Sequence, residues 1–104
     1  MKIITVEQPW ATLIAAGIKR IETRPESTRY RGPLAIHAGN SLEPVKDPYI
    51  RSVLSSAGYT FNNPPRDLLL AKCDLVECRE ITNAECPCYP EYAFGHFRSG
   101  WYAW

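Results

Sequence analysis

The spacing of apolar and polar residues changes character several times along this chain and predicts its elements. Residues 2–6 (KIITV) form a β-branched run that predicts a first strand, closed by Glu7, Gln8 and Pro9. Trp10, Leu13 and Ile14 then recur at one-face helical spacing, with Pro9 suited to the first helical position and Gly17 to a left-handed stop. Residues 20–24 (RIETR) alternate and predict a strand that puts Arg20, Glu22 and Arg24 on one face before Pro25 ends it. A solvated loop over 26–32 follows, and 33–38 return to strand character with Leu34 and Ile36 opposite Ala35 and His37.

Residues 39–48 are polar and twice interrupted by proline, which reads as a surface loop. Asp47 is a good N-cap and Pro48 a good first residue for a second helix, in which Ile50, Val53, Leu54 and Ala57 share a face and Gly58 provides the stop. Asn62, Asn63, Pro64 and Pro65 predict a long loop over 59–67. Residues 68–81 are the longest apolar-rich run and predict a strand able to bend, with Leu70, Lys72, Asp74, Val76 and Cys78 on one face. The stretch 82–99 is irregular, and Trp101 to Trp104 read as an aromatic strand.

Composition bounds this picture. The 104 residues, 45% hydrophobic, suit a single domain over 1–104, burying about two thirds of the unfolded surface. A net charge of +1 excludes a strongly basic nucleic-acid coat, so an anionic partner has to be held by a patch. Such a patch exists locally: Lys19, Arg20, Arg24, Arg29 and Arg31 fall close together, offset by Glu22 and Glu26. The run 11–18 is too short to span a membrane, and the first ten residues lack the apolar centre of a signal peptide, so a cytoplasmic protein is expected. Cys73 and Cys78 differ by an odd number and point to opposite faces of a regular strand, while Cys86 and Cys88 do not have a common zinc spacing. Four reduced thiols, no metal and no cofactor are expected.

The order of strand, Gln-Pro-Trp helix, Gly-Ile-Lys-Arg-Ile-Glu-Thr-Arg and Arg-Tyr-Arg-Gly-Pro-Leu-Ala-Ile-His-Ala resembles the ASCH domain family, relatives of the PUA RNA-binding domains. The resemblance continues through Cys73-Asp74-Leu75-Val76-Glu77-Cys78, Phe94-Gly95-His96-Phe97 and Gly100-Trp101-Tyr102-Ala103-Trp104. It implies an α+β fold: a small PUA-like β-barrel of about five to six strands with two helices, the first beside a ligand cleft. The family hallmark Gly-x-Lys-x-x-Glu-x-Arg stands here as Gly17, Lys19, Glu22 and Arg24. Two departures matter. The family's last strand usually continues past Tyr-Ala-Trp, so a barrel seam completed by a second copy, a homodimer, is an expectation. Family members that hydrolyse 4-acetylcytidine carry Lys-x-x-Thr with a later carboxylate; Lys19 and Asp74 match, but Glu22 holds the Thr position and Thr23 is one residue out of register.

These residues support several functions. In the first, the domain binds RNA or a nucleotide: Lys19, Arg24, Arg29 and Arg31 meet phosphate, and Tyr30 or Trp10, Trp101 or Trp104 stacks a base. In the second, a small hydrolase of an acylated nucleoside or a ribonuclease uses Lys19 with Glu22 or Asp74 as catalytic groups. In the third, the domain binds protein partners in transcription regulation. Each has a plainer counterpart: a solvated charged loop, an ion pair that shapes a cleft, aromatic core filler. Asp74 in mid-strand reads either as an exposed edge residue or as a cleft carboxylate. His37 and His96, each without a second histidine or a paired carboxylate in sequence, read as structural.

Overall fold

A computed structural model describes residues 1–104 except 44, 62 and 83–99. The elements run β1 (Lys2–Gln8), α1 (Trp10–Ala15), β2 (Thr23–Arg24), β3 (Gly32–Leu42), α2 (Pro48–Ser56), β4 (Leu68–Leu75), β5 (Arg79–Glu80) and β6 (Tyr102–Ala103). The fold is α+β, with two helices and two three-stranded sheets among the described residues. One sheet has the order β1-β3-β4, in which β1 and β3 are parallel and β3 and β4 antiparallel; the other has the order β2-β6-β5 and is antiparallel. A closed barrel is not formed among these residues.

Alternation in β1 decides which side of the first sheet is covered. Ile4, Val6 and Gln8 are buried while Ile3, Thr5 and Glu7 are exposed, as a strand with one solvated face requires. Their inner side joins Leu34, Ile36 and Ala38 of β3, Ala11 of α1 and Leu75 of β4 in one core. Helix α1 lies against all three strands. Its Leu13 points the other way, into a second cluster with Ile50 and Leu54 of α2, and Trp10 touches both. Gln8 is fully buried without leaving a polar atom stranded. Its Nε2 donates to the Pro65 carbonyl at 2.8 Å, and its Oε1 accepts from the Thr12 N–H and hydroxyl, both at 3.0 Å.

The second helix forms as the sequence predicts. The Asp47 carboxylate accepts from the N–H groups of Tyr49 and Ile50, Pro48 takes the first turn, Ile50 and Leu54 are buried, and Gly58 stops the chain at φ +85°. Gly17 likewise adopts φ +76° after α1. Other boundaries differ. Pro9 sits one residue before the first helix, behind a cis Gln8–Pro9 peptide. The strand expected over 20–24 contracts to Thr23–Arg24, because the N–H groups of Ile18 and Lys19 turn back to the Leu13 carbonyl. β3 runs on to Leu42 through the expected loop, since Leu42 finds Gln8 as a partner and the Glu43 N–H reaches the Gln8 carbonyl at 2.8 Å.

The run 68–81 divides into β4 and β5. Within β4 the pairing passes from Ile36 with Ala71 to His37 with Leu69, so Leu70 is an extra, bulged residue that breaks the alternation. Ala71, Cys73 and Leu75 therefore turn toward the core, and Lys72, Asp74 and Val76 are exposed. Trp104 lies just beyond β6, its N–H and carbonyl exchanging hydrogen bonds with Glu22 at 2.8 and 3.1 Å. Cys86, Cys88, His96 and the Phe94 to Phe97 segment lie outside the described residues.

Candidate ligand cleft

The segment between α1 and β2 builds the cleft because its one long cation is turned inward. The Lys19 side chain is fully buried. Its Nζ donates to the Ile21 carbonyl at 2.6 Å, lies 3.7 Å from Oε1 of Glu22 and 5.8 Å from the centre of the Trp10 ring. A buried ammonium needs such partners, since its desolvation is otherwise unpaid. The Trp10 ring is held in turn by its Nε1, which donates to Glu43 at 2.5 Å. Glu22 offers its second oxygen to Arg24 Nη1 at 3.5 Å. Burial pushes the Glu22 carboxyl above its ordinary value, against the opposing pull of Lys19, Arg24 and the Thr23 N–H.

Arg24 ties this site to the neighbouring strands. Its Nε donates to Glu26 at 2.8 Å, its Nη1 to the Thr5 carbonyl at 3.2 Å, and its guanidinium lies 5.3 Å from the Trp104 ring centre. The backbone pairing of Trp104 with Glu22 makes them direct cross-strand neighbours, so ring and carboxylate share a face. The indole Nε1 donates to the Glu26 carbonyl at 3.1 Å, which fixes the ring further.

These side chains open on a cavity of about 820 Å³ between the two sheets. Ile4, Leu34, Ile36, Leu75 and Ile81 supply an apolar floor, and Trp104 one wall. Lys19, Arg20 and Arg79 line it together with Glu22, Asp74, Glu77 and Glu80. The expected basic cleft is thus corrected: among the described residues its lining carries more carboxylates than cations, because β4 and the stretch leading to β5 bring acids opposite the hallmark lysine. An apolar floor, one aromatic wall and a mixed charged rim suit an uncharged ring with polar edges better than a bare phosphate.

The candidate site residues divide accordingly. Lys19, Glu22 and Asp74 come together on the cavity. Trp10 stands behind Lys19, and Arg24 behind Glu22, neither lining the cavity. Arg29, Tyr30 and Arg31 stand outside it, in the loop before β3. There the Tyr30 hydroxyl donates to the Pro33 carbonyl, Arg31 Nη1 donates to the carbonyls of Thr28 and Tyr30, and Arg29 is exposed. Lys2 joins this outer group, its ammonium 5.9 Å from the Tyr30 ring and 5.7 Å from that of Trp104. Thr23 is buried and does not line the cavity, in keeping with its one-residue offset from Glu22. Arg79, Glu80 and Ile81 were not foreseen; the bend after Leu75 that brings them in depends on pairing with β6, which no local spacing encodes. Cys73 also lines the cavity, its thiol pushed up by burial and then by Asp74. No group of three metal-ligating side chains occurs among the described residues, and no helix there is long and apolar enough to cross a membrane.

Fold and site together define an α+β domain with a cleft between its sheets, built on a buried Gly-x-Lys-x-x-Glu-x-Arg signature. Comparison with known proteins gives the class its name. The ASCH domain profile matches residues 4–101, and the chain belongs to that family. It is also 35% identical over 80 residues to Activating signal cointegrator 1 of Mus musculus and of Homo sapiens. Each match covers 72% of this chain and only 14% of the relative's length.

Proposed function

We propose that residues 1–104 act as one domain of PUA-like barrel type that binds single-stranded RNA or a nucleotide. The cavity would take the base and sugar, and Arg24, Arg29, Arg31 and Lys2 outside it would meet the phosphates. The observation that carries this reading is the shared cavity of Lys19, Glu22, Asp74 and Trp104 over an apolar floor. An uncharged base satisfies such a lining. Its face rests on the indole, and its edge donors and acceptors meet carboxylate and ammonium. Guanidinium groups suit the flanking phosphates, which they hold with paired hydrogen bonds. Fluorescence titration with a short single-stranded RNA at two salt concentrations tests it. Binding should weaken as salt rises and should fall in a Trp104→Ala variant; affinity indifferent to both would refute the reading.

A second reading is favoured by one observation, the raised Glu22 carboxyl beside a buried ammonium in the same cavity. In it the domain is a small hydrolase, with Glu22 or Asp74 handling a proton and Lys19 polarising the bond to be cleaved. Incubation with 4-acetylcytidine and with RNA separates the two. Turnover lost in Lys19→Met supports catalysis, and binding without turnover supports a recognition module.

A further inference from the structure

On the outer face of the first sheet, away from the cleft, three side chains from separate parts of the chain form a continuous line. Thr5 of β1 and His37 of β3 are register partners, and Oγ1 of Thr5 lies 3.1 Å from His37 Nδ1. The other ring nitrogen, Nε2, lies 3.1 Å from Oδ1 of Asp67. A carboxylate accepts but does not donate, so Asp67 keeps the proton on Nε2 and leaves the Nδ1 lone pair facing the Thr5 hydroxyl. Nucleophile, base and orienting carboxylate stand in the order that activated hydroxyl groups require, recognised by geometry and not by chain position.

Two backbone features hold this line in place. A Cβ at Gly39 would meet the Thr5 methyl at 3.0 Å, so glycine there leaves room for the methyl on one side while the hydroxyl points to His37. Asp67 is the non-glycine residue with positive φ among the described residues, at +56°, and its N–H is fastened to the Ala38 carbonyl at 2.6 Å. Ile3, two residues before Thr5 on the same face, and Leu69, the partner of His37, are each 58% exposed. They flank the hydroxyl with apolar surface. Thr5 itself is open to solvent.

We infer that Thr5 is an acyl-acceptor hydroxyl, activated by His37 and Asp67, for small activated acyl donors such as aryl esters or acyl phosphates. Thr5 Oγ1 attacks the acyl carbon and its proton passes to His37 Nδ1. The bond from the acyl carbon to the leaving oxygen breaks, that oxygen takes the proton from the imidazole, and an ester remains on Thr5. Asp67 is a positioning residue that fixes the tautomer. None of the three lines the cleft, so this inference and the nucleotide reading stand or fall separately.

The test uses p-nitrophenyl acetate with the whole chain, following p-nitrophenolate release and mapping acetyl groups by mass spectrometry after hydroxylamine, which removes esters and spares amides on lysine. The expected result is a hydroxylamine-labile acetyl on Thr5, retained in Thr5→Ser and slowed at least ~10-fold in His37→Gln. Asp67→Asn, which tolerates the same backbone conformation, should slow it with the circular dichroism spectrum unchanged. Acetylation confined to amines, or an ester at Thr5 that forms equally fast in His37→Gln, would overturn the inference.

Discussion

Replacing Lys19 by Met tests the charge arrangement at the cleft most sharply. Met fills nearly the same length with a flexible apolar chain, so the change removes charge more than volume. Three contacts go with the ammonium: the 2.6 Å bond to the Ile21 carbonyl, the ion pair with Glu22 and the contact with Trp10. A hydrogen bond from a charged donor is worth about 1.5–3 kcal/mol, and relief from desolvating the ammonium offsets part of it. Glu22 keeps Arg24 and retains 17% side-chain exposure, so its carboxylate is not stranded. The net loss at neutral pH is about 2 kcal/mol, a fall of ~10 °C in melting temperature for a chain of this size.

The pH dependence has a definite sign. The folded Glu22 carboxyl sits above its ordinary value of 4.5, so the native state holds the proton more firmly than the unfolded one. Its contribution to stability is greatest below that value and is lost as pH rises through the folded value. Without Lys19 the carboxyl rises further, and the variant loses more over the same window. Urea denaturation of both proteins at pH 7 and near pH 4 should therefore give a stability gap that is larger at pH 7. An equal gap, or one that widens on acidification, would refute the reasoning.

Other substitutions probe the frame around the cleft. Asp47→Ala removes the acceptor for the Tyr49 and Ile50 N–H groups and should cost about 1 kcal/mol in urea denaturation, with the cleft's ligand affinity unaltered. Gln8→Ala strands the Pro65 carbonyl and the Thr12 N–H in a buried site and should cost ~2–4 kcal/mol by the same measurement. Leu13→Ala, at a fully buried position between α1 and α2, should cost about 2–5 kcal/mol and lower the melting temperature accordingly. Trp104→Ala should weaken binding of a short single-stranded RNA by about 1–3 kcal/mol, read by fluorescence anisotropy.

Much of the frame was legible before any coordinates, because local chemistry decides it. Asp47, Pro48 and Gly58 mark the second helix by capping and backbone preference alone, and β1 declares its buried face by alternation. What depends on distant partners was not legible. Residues 39–42 look like a polar loop and become strand because Gln8 supplies a partner. The bulge at Leu70 moves Cys73 and Leu75 inward while Asp74 stays exposed, which no periodicity in 68–81 foretells. The same division runs through the site. The hallmark spacing points to Lys19 and Glu22, which are held together by a short local turn. The five neighbouring cations suggest one basic patch, yet Lys19 turns inward while Arg29 and Arg31 remain with the loop before β3. His37 looks solitary in sequence because its carboxylate, Asp67, is brought to it only when β3 and β4 pair.

The most direct test of nucleotide recognition is a titration of isotopically labelled protein with a short single-stranded RNA, followed by nuclear magnetic resonance at the Trp104 indole N–H and the backbone amides of Lys19, Glu22 and Leu75. Saturable shifts centred on these groups, lost in Glu22→Gln, are the predicted result. Saturable shifts that leave these four signals unmoved would place the nucleic acid elsewhere and contradict the account.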